Sequence, residues 1–228
     1  MPEFTRYAVY YAPHAGSGLA RFGASWLGWD ADSARTLAHP ECGVDVARLT
    51  ETPRKYGFHG TLTSPLRLKS GASADQLSAA ARAIATTAAP FETAPLVLKR
   101  LGHFLALVPS APSEDLNALH ASLVRGLFGF REAPTEGDLR KRRANGLTNR
   151  QEKLLQDWGY PYVLEEFRFH LTLSGRLDAE EARDLEAVLT PLTEPFCKAP
   201  FEMTEIALFG ERAADGQFQI IERYPLAG

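Results

Sequence analysis

A chain of 228 residues suits one large domain or two small lobes with a proper core, and 45% apolar with 23% charged residues is an ordinary globular balance. A formal net charge of −3 gives no overall attraction to a polyanion, which argues against long nucleic acid held by charge. No window reaches the ~20 apolar residues of a membrane span.

The amino-terminal MPEFTRYAVYYAP lacks the basic start and apolar run of a signal peptide, so the expected setting is cytoplasmic, without membrane. Cys42 and Cys197 have no metal-ligand spacing and are expected to be free thiols. No zinc motif, P-loop or dinucleotide fingerprint appears, so no cofactor and no metal are expected.

In chain order, residues 6–12 read as a strand and 17–30 as a helix. A strand over 57–63 follows, within KYGFHGTLTSPL. A helix is predicted over 74–87, with Ser73 and Gln76 at capping-box spacing and Leu77, Ala80, Ala81 and Ile84 on one face. Strands at 95–101 and 103–108 precede a helix over 114–128, capped by Ser113 with a Leu116, Leu119, Leu123, Leu127 stripe. Residues 129–164 read as an insertion holding the basic run LRKRR (139–143) and a helix from Thr148 to Trp158, stopped by Gly159 and Pro161. A strand over 166–174 comes next, then a helix over 179–192 started by Asp178 and Glu181. Strands at 201–209 and 217–224 close the chain across a loop with Asp215-Gly216.

The chain repeats itself. FHGTL around His59 returns as FHLTL around His170, 111 residues later, and PFETAP returns as PFCKAP at an offset of 105. Two units, about 6–101 and 103–224, are therefore expected within a single bilobal α+β domain. Its form would be two mainly antiparallel sheets facing a central cleft, with helices outside.

Each repeat carries His-x-Thr on a strand: His59 with Thr61, and His170 with Thr172. Residues two apart on a strand share a face. His120-Ala121-Ser122 fits the same pattern but lies on a helix, where residues two apart diverge, so His120 reads as structural. Two facing imidazoles can be one proton acceptor and one proton donor near neutral pH, and two threonine hydroxyls can hold phosphate oxygens. That is equipment for cleaving a phosphodiester without metal. The residues leave open which histidine takes which part.

Paired H-x-T triplets in a duplicated α+β chain resemble the 2H phosphoesterase superfamily along nearly the whole sequence. TPRKYGFHGTL, LTNRQEKLLQDWGYPYV and EEFRFHLTLSG resemble, more narrowly, a bacterial branch encoded beside phosphonate-utilisation genes. The resemblance implies a 2H-type cyclic phosphodiesterase with His59 and His170 as acid and base and Thr61 and Thr172 on the phosphate. It implies a small ribose cyclic phosphate as substrate. An RNA-end 2′,3′-cyclic phosphodiesterase or ligase and a non-catalytic phospho-ligand binding module are the alternatives. Oligomeric state is not legible.

Four neighbours are further candidates for substrate binding. Arg168 precedes His170 by two and would bring a forked cation to the same face. Lys55 shares parity with His59, although Gly57 between them can bend the chain. Tyr56 and Tyr10 are candidate stacking surfaces, with core packing as the competing role. The basic run 139–143 is either a solvated face or a flap over a phosphorylated substrate.

Overall fold

The first strand is buried on both sides, which fixes it at the centre of the sheet. In β1 (Phe4–Tyr11), Tyr7, Val9 and Tyr11 face one layer while Ala8 and Tyr10 face the other. The computed structural model describes residues 3–144 and 146–228. Helix α1 (Gly18–Leu27) starts where Ser17 accepts the Ala20 N–H and stops at Gly28, whose φ of 72° suits glycine. A hairpin of β2 (Trp29–Asp30) and β3 (Arg35–Thr36) and two single-turn helices, α2 (Val46–Leu49) and α3 (Glu51–Arg54), lead to β4 (Gly60–Thr61).

Helix α4 (Ala74–Thr87) carries the expected capping box of Ser73 with Gln76. Strands β5 (Phe91–Thr93), β6 (Leu96–Leu101) and β7 (Phe104–Pro109) follow, then α5 (Glu114–Leu127). The insertion folds as α6 (Glu136–Arg143), which contains the basic run, and α7 (Asn149–Trp158), capped by Thr148 and ended by Gly159. Strand β8 (Leu171–Thr172), helix α8 (Ala179–Thr193) behind an Asp178–Glu181 capping box, and strands β9 (Phe201–Met203), β10 (Glu205–Arg212) and β11 (Phe218–Pro225) complete the chain.

The α+β class with antiparallel pairing is as the sequence implied. The strands join as one seven-stranded sheet in the order β11-β10-β1-β4-β8-β7-β6, with β5 and β9 paired separately. The two half-sheets expected from the repeat thus meet edge to edge through β4 and β8. Pairing those edges satisfies backbone groups that two separate sheets would leave open at the seam. The repeats also trade strands: β6 closes the half-sheet built on β7 and β8, whereas β10 and β11 flank β1 and β4.

Both triplet strands are shorter than the sequence pattern suggests. Gly57, at φ 70°, turns the chain just before the first, and Leu62 and Thr63 both donate to the Val9 carbonyl just after it. Two donors on one carbonyl is the signature of a bulge, which ends regular pairing. Leu164, at φ 54°, opens the tight turn Leu164–Glu166 ahead of the second.

Helices α1, α4, α5 and α8 cover one face over a core that includes Trp26, Leu77, Leu123, Leu185 and the inward side chains Val9, Leu107 and Leu171. On the other face the β11-β10-β1 end is covered, where Trp29 and Ala31 pack on Tyr10, Phe209 and Phe218. At the seam and the β8-β7-β6 end of that second face, Thr61, Thr172, Phe104 and Lys99 border open space. A small cluster of Val124, Leu154 and Val163 fastens the insertion to α5 beside that opening.

Candidate active site

Gly60 pairs with Leu171, and the repeat offset makes these two residues equivalents of each other. The local twofold axis therefore passes between them. Continuing this antiparallel register by one residue sets His59 opposite Thr172 and Thr61 opposite His170. Directly opposed side chains share a face, so all four lie together, histidine against threonine in both rows. The neighbouring strands extend the same face, with Tyr10 opposite Thr61 and Ala106 opposite Thr172.

Gly60 is small for a reason at this seam. A Cβ there would sit 2.3 Å from Phe169 Cε2 and 2.4 Å from its Cζ, with Leu171 Cδ2 at 3.2 Å. Gly60→Ala is expected to cost about 1–3 kcal/mol through overpacking, read as a lower urea midpoint with an unchanged slope. A midpoint equal to that of the parent would show that the Phe169 ring moves aside freely.

Both imidazoles are held in the same way. Nδ1 of His59 donates to the Gly57 carbonyl at 2.9 Å, and Nδ1 of His170 donates to the Arg168 carbonyl at 2.7 Å. A carbonyl only accepts, so each neutral ring carries its proton on Nδ1 and leaves Nε2 as the acceptor. At His59 that acceptor takes the Thr61 hydroxyl, 3.1 Å away. Burial pushes the His59 pKa down to about 4, partly offset by the Gly57 hydrogen bond and helped by the nearby His170. Burial also lowers the His170 pKa, against its own carbonyl bond.

The open face forms one groove with two halves. A cavity of about 600 Å³ is lined by Thr61, His170, Arg168, Tyr160 and Phe167 among others, and one of about 780 Å³ by Thr172, Tyr56 and Ser174. The halves share Leu101, Gly102, Phe104 and Tyr162. His59 is half-buried and stacks on Tyr10, with ring centroids 4.0 Å apart. Its Nε2 edge meets the Thr61 hydroxyl, and it is Thr61 that lines the groove.

The other candidates are placed unequally. Arg168 is exposed in the groove and, among the described residues, enters no ion pair; Glu165 pairs instead with Arg150, and Glu166 accepts from Gln151 at 2.8 Å. Lys55 caps the end of α3 and is bound by Glu211 at 2.8 Å, so strand parity does not apply to it. Glu211 also takes Arg6 at 2.5 Å, and these partners, Arg6 foremost, hold its carboxyl down at about 2. Tyr56 lines the groove with its ring stacked on Phe218, whereas Tyr10 is buried beneath His59.

His120 is structural, as its helical setting implied. It accepts the Leu164 N–H on Nε2 at 2.8 Å, donates to the Leu62 carbonyl from Nδ1 and stacks on Phe167. The basic run lies behind the groove wall: Arg142 sits over the Tyr160 ring at 4.6 Å and Arg143 pairs with Glu152 at 2.6 Å. Sequence reading missed Tyr162, Phe104 and Lys99, which line the groove from the insertion and the β6–β7 hairpin. Lys99 alone carried a signal, since an alternating strand puts it in register with Ala106 and hence with Thr172. Among the described residues, no group of three His, Cys, Asp or Glu side chains could hold a metal ion, and no helix is long and apolar enough to cross a membrane.

Residues 61–219 match the family described as "Protein of unknown function (DUF1045)". The chain belongs to the DUF1045 family. Two relatives of this DUF1045 chain bear the name ribose 1,5-bisphosphate phosphokinase PhnN. One, from Janthinobacterium sp. (strain Marseille), is 32% identical over 99% of this chain and 52% of its own length. The other, from Laribacter hongkongensis (strain HLHK9), is 34% identical over 94% of this chain and 50% of its own length. The DUF1045 chain thus spans about half the length of the curated relatives it matches. Among solved structures, E. coli LigT complexed with NADP+ aligns over 99% of this chain and 100% of its own, at 17% identity and a TM-score of 0.47. A structure described as a phosphoesterase aligns over 99% and 100% at 18% identity and a TM-score of 0.43.

Proposed function

We propose that this chain is a 2H-type phosphoesterase that opens a small ribose cyclic phosphate by adding water, with no metal in the step. The observation that carries the reading is the β4–β8 register, which gathers two imidazoles and two hydroxyls on one face of a groove. His59 is the base: its ring is held neutral, and its Nε2 already accepts a hydroxyl proton. It takes a proton from water as the water oxygen bonds to phosphorus. The bond from phosphorus to one ribose oxygen breaks, and His170 gives that oxygen a proton. Thr61 turns from His59 to the phosphate, and Thr61 and Thr172 donate to the non-bridging oxygens. His170 is lowered in the free protein, and a phosphate anion beside it raises its pKa again, which supplies the acid.

The names of the relatives support the ribose class. A phosphokinase acting on ribose 1,5-bisphosphate takes a ribose with phosphate on C1. Opening a 1,2-cyclic phosphate at its bond to O2 leaves phosphate there. This chain has no P-loop, so the phosphokinase name is read as belonging to the part of those relatives that it does not span.

Turnover in EDTA tests the reading with ribose 1,2-cyclic phosphate, its 5-phosphate and the nucleoside 2′,3′-cyclic phosphates, with products followed by phosphorus NMR. A ribose 1-phosphate product is the expected result. Turnover of the nucleosides alone would replace the substrate class. Tight binding with no turnover of any compound would make the chain a binding module, and activity that EDTA abolishes would place a metal in the step.

A further inference from the structure

Three cations line the half of the groove that holds Thr61 and His170, and among the described residues none has a carboxylate partner: Lys99, Arg100 and Arg168. Among the described residues the one carboxylate lining it, Glu166, is already engaged by Gln151. The chemistry assigned to the two triplets uses none of the three. Arg100 is turned to the hairpin, donating from Nε to the Gly102 carbonyl at 3.0 Å. Lys99 and Arg168 remain, and both also line an adjoining cavity of about 320 Å³ that opens from this end of the groove.

Their placement follows from register. Thr172 lies opposite Ala106 on β7, and Ala106 lies opposite Lys99 on β6, so Thr172, Ala106 and Lys99 form one row across three strands. Two strand spacings put the Lys99 backbone about 10 Å from that of Thr172. The residue between them is alanine, fully buried, which leaves a shallow floor where any longer side chain would stand up. Arg168 approaches from the other side, two residues before His170, with its backbone carbonyl fixed by the His170 ring and its guanidinium left to the solvent side. A cyclic phosphate held at the triplets would therefore have, about one sugar ring away, a floor of alanine and two cations that enter no ion pair among the described residues.

We infer that Lys99 and Arg168 form a second anion subsite that binds a phosphate at the far end of the sugar, so that the preferred substrate is a ribose cyclic phosphate also phosphorylated on C5. This rests on the ribose cyclic phosphate reading of the groove. A forked guanidinium and a mobile ammonium together suit a terminal phosphate with three free oxygens better than they suit a neutral ribose or an apolar base.

Titration calorimetry in EDTA, with turnover recorded in parallel, tests it on ribose 1,2-cyclic phosphate and its 5-phosphate against the parent, Lys99→Met and Arg168→Met. The ratio of the two affinities is the readout, because a general loss of fold moves both alike. The parent is expected to favour the 5-phosphate about ten- to a hundredfold, and each substitution to remove most of that preference. A ratio near one in the parent, or one that neither substitution changes, overturns the subsite even if both compounds are hydrolysed. A ratio that falls in both variants while nothing is hydrolysed keeps the subsite and overturns the hydrolytic reading instead.

Discussion

His59→Ala and His170→Ala are each expected to lower kcat/KM for the ribose cyclic phosphate by about 10²- to 10⁴-fold, the usual span for losing one general acid or base. In the proposed mechanism the two rings act in one proton relay, so the double variant should fall little below the worse single one. Their structural duties differ. His59 packs on Tyr10 at 4.0 Å and also faces Phe209, so its removal leaves a gap in a packed wall. His170 borders the groove with its ring centroid 5.6 Å from that of Phe104, so its removal should leave the melting temperature nearly unchanged. Full activity in His170→Ala with an intact fold would end the paired-histidine mechanism.

The pH profile separates the two rings. Burial lowers both pKa values, so both titrations move to the acid side of the ordinary histidine value near 6.5. A base works only when neutral, so kcat/KM should rise with pH through about 4, where His59 loses its proton. An acid works only when protonated, so kcat/KM should fall again at a pH below 6.5 as His170 loses its own. The free protein is therefore expected to be most active in mildly acidic solution. The descending limb of kcat should lie at higher pH than that of kcat/KM, because bound phosphate raises His170. A further consequence concerns folding. His59 and His120 are both held neutral down to about 4, so between 6.5 and 4 the unfolded chain binds protons that the native one does not. Stability then falls as pH falls through that window, and the acid limb must be taken from initial rates.

What the sequence could show was whatever is local or periodic. The α4 helix was legible to its ends because Ser73 and Gln76 write its start and the 3.6-residue stripe writes its face. The two triplets were legible because the chain states them twice. The seam was not, since nothing in FHGTL or FHLTL says that the two strands pair with each other, or that Gly60 meets Leu171. The place of Lys55 could not be read from parity, because Gly57 stands between it and His59 and its positive φ resets the count. Tyr162 was hidden for another reason: it stands in an irregular stretch of the insertion, and its place on the groove depends on how Val124, Leu154 and Val163 dock that segment. Long-range placement of this kind leaves no period in the chain.

Trp26→Ala is expected to have the largest effect on stability, about 3–5 kcal/mol from the lost ring alone. Trp26 is fully buried on α1, and its Nε1–H donates to the Leu173 carbonyl at 2.7 Å. Leu173 follows Thr172 directly, so this bond ties the first helix of the chain to the strand of the second triplet. Alanine would remove the ring and leave that carbonyl buried without its donor. Against a typical total of about 5–15 kcal/mol, such a loss can prevent folding outright. Trp26→Phe is the informative companion, because it keeps most of the volume and removes only the donor, at about 1–3 kcal/mol. Urea denaturation of both variants gives the two costs. If the hydrogen bond also steadies Thr172, Trp26→Phe should lose kcat while KM for the cyclic phosphate stays near the parent value. Equal stability in the phenylalanine variant and the parent would mean that the Leu173 carbonyl finds another partner, and that α1 holds the second triplet strand through packing alone.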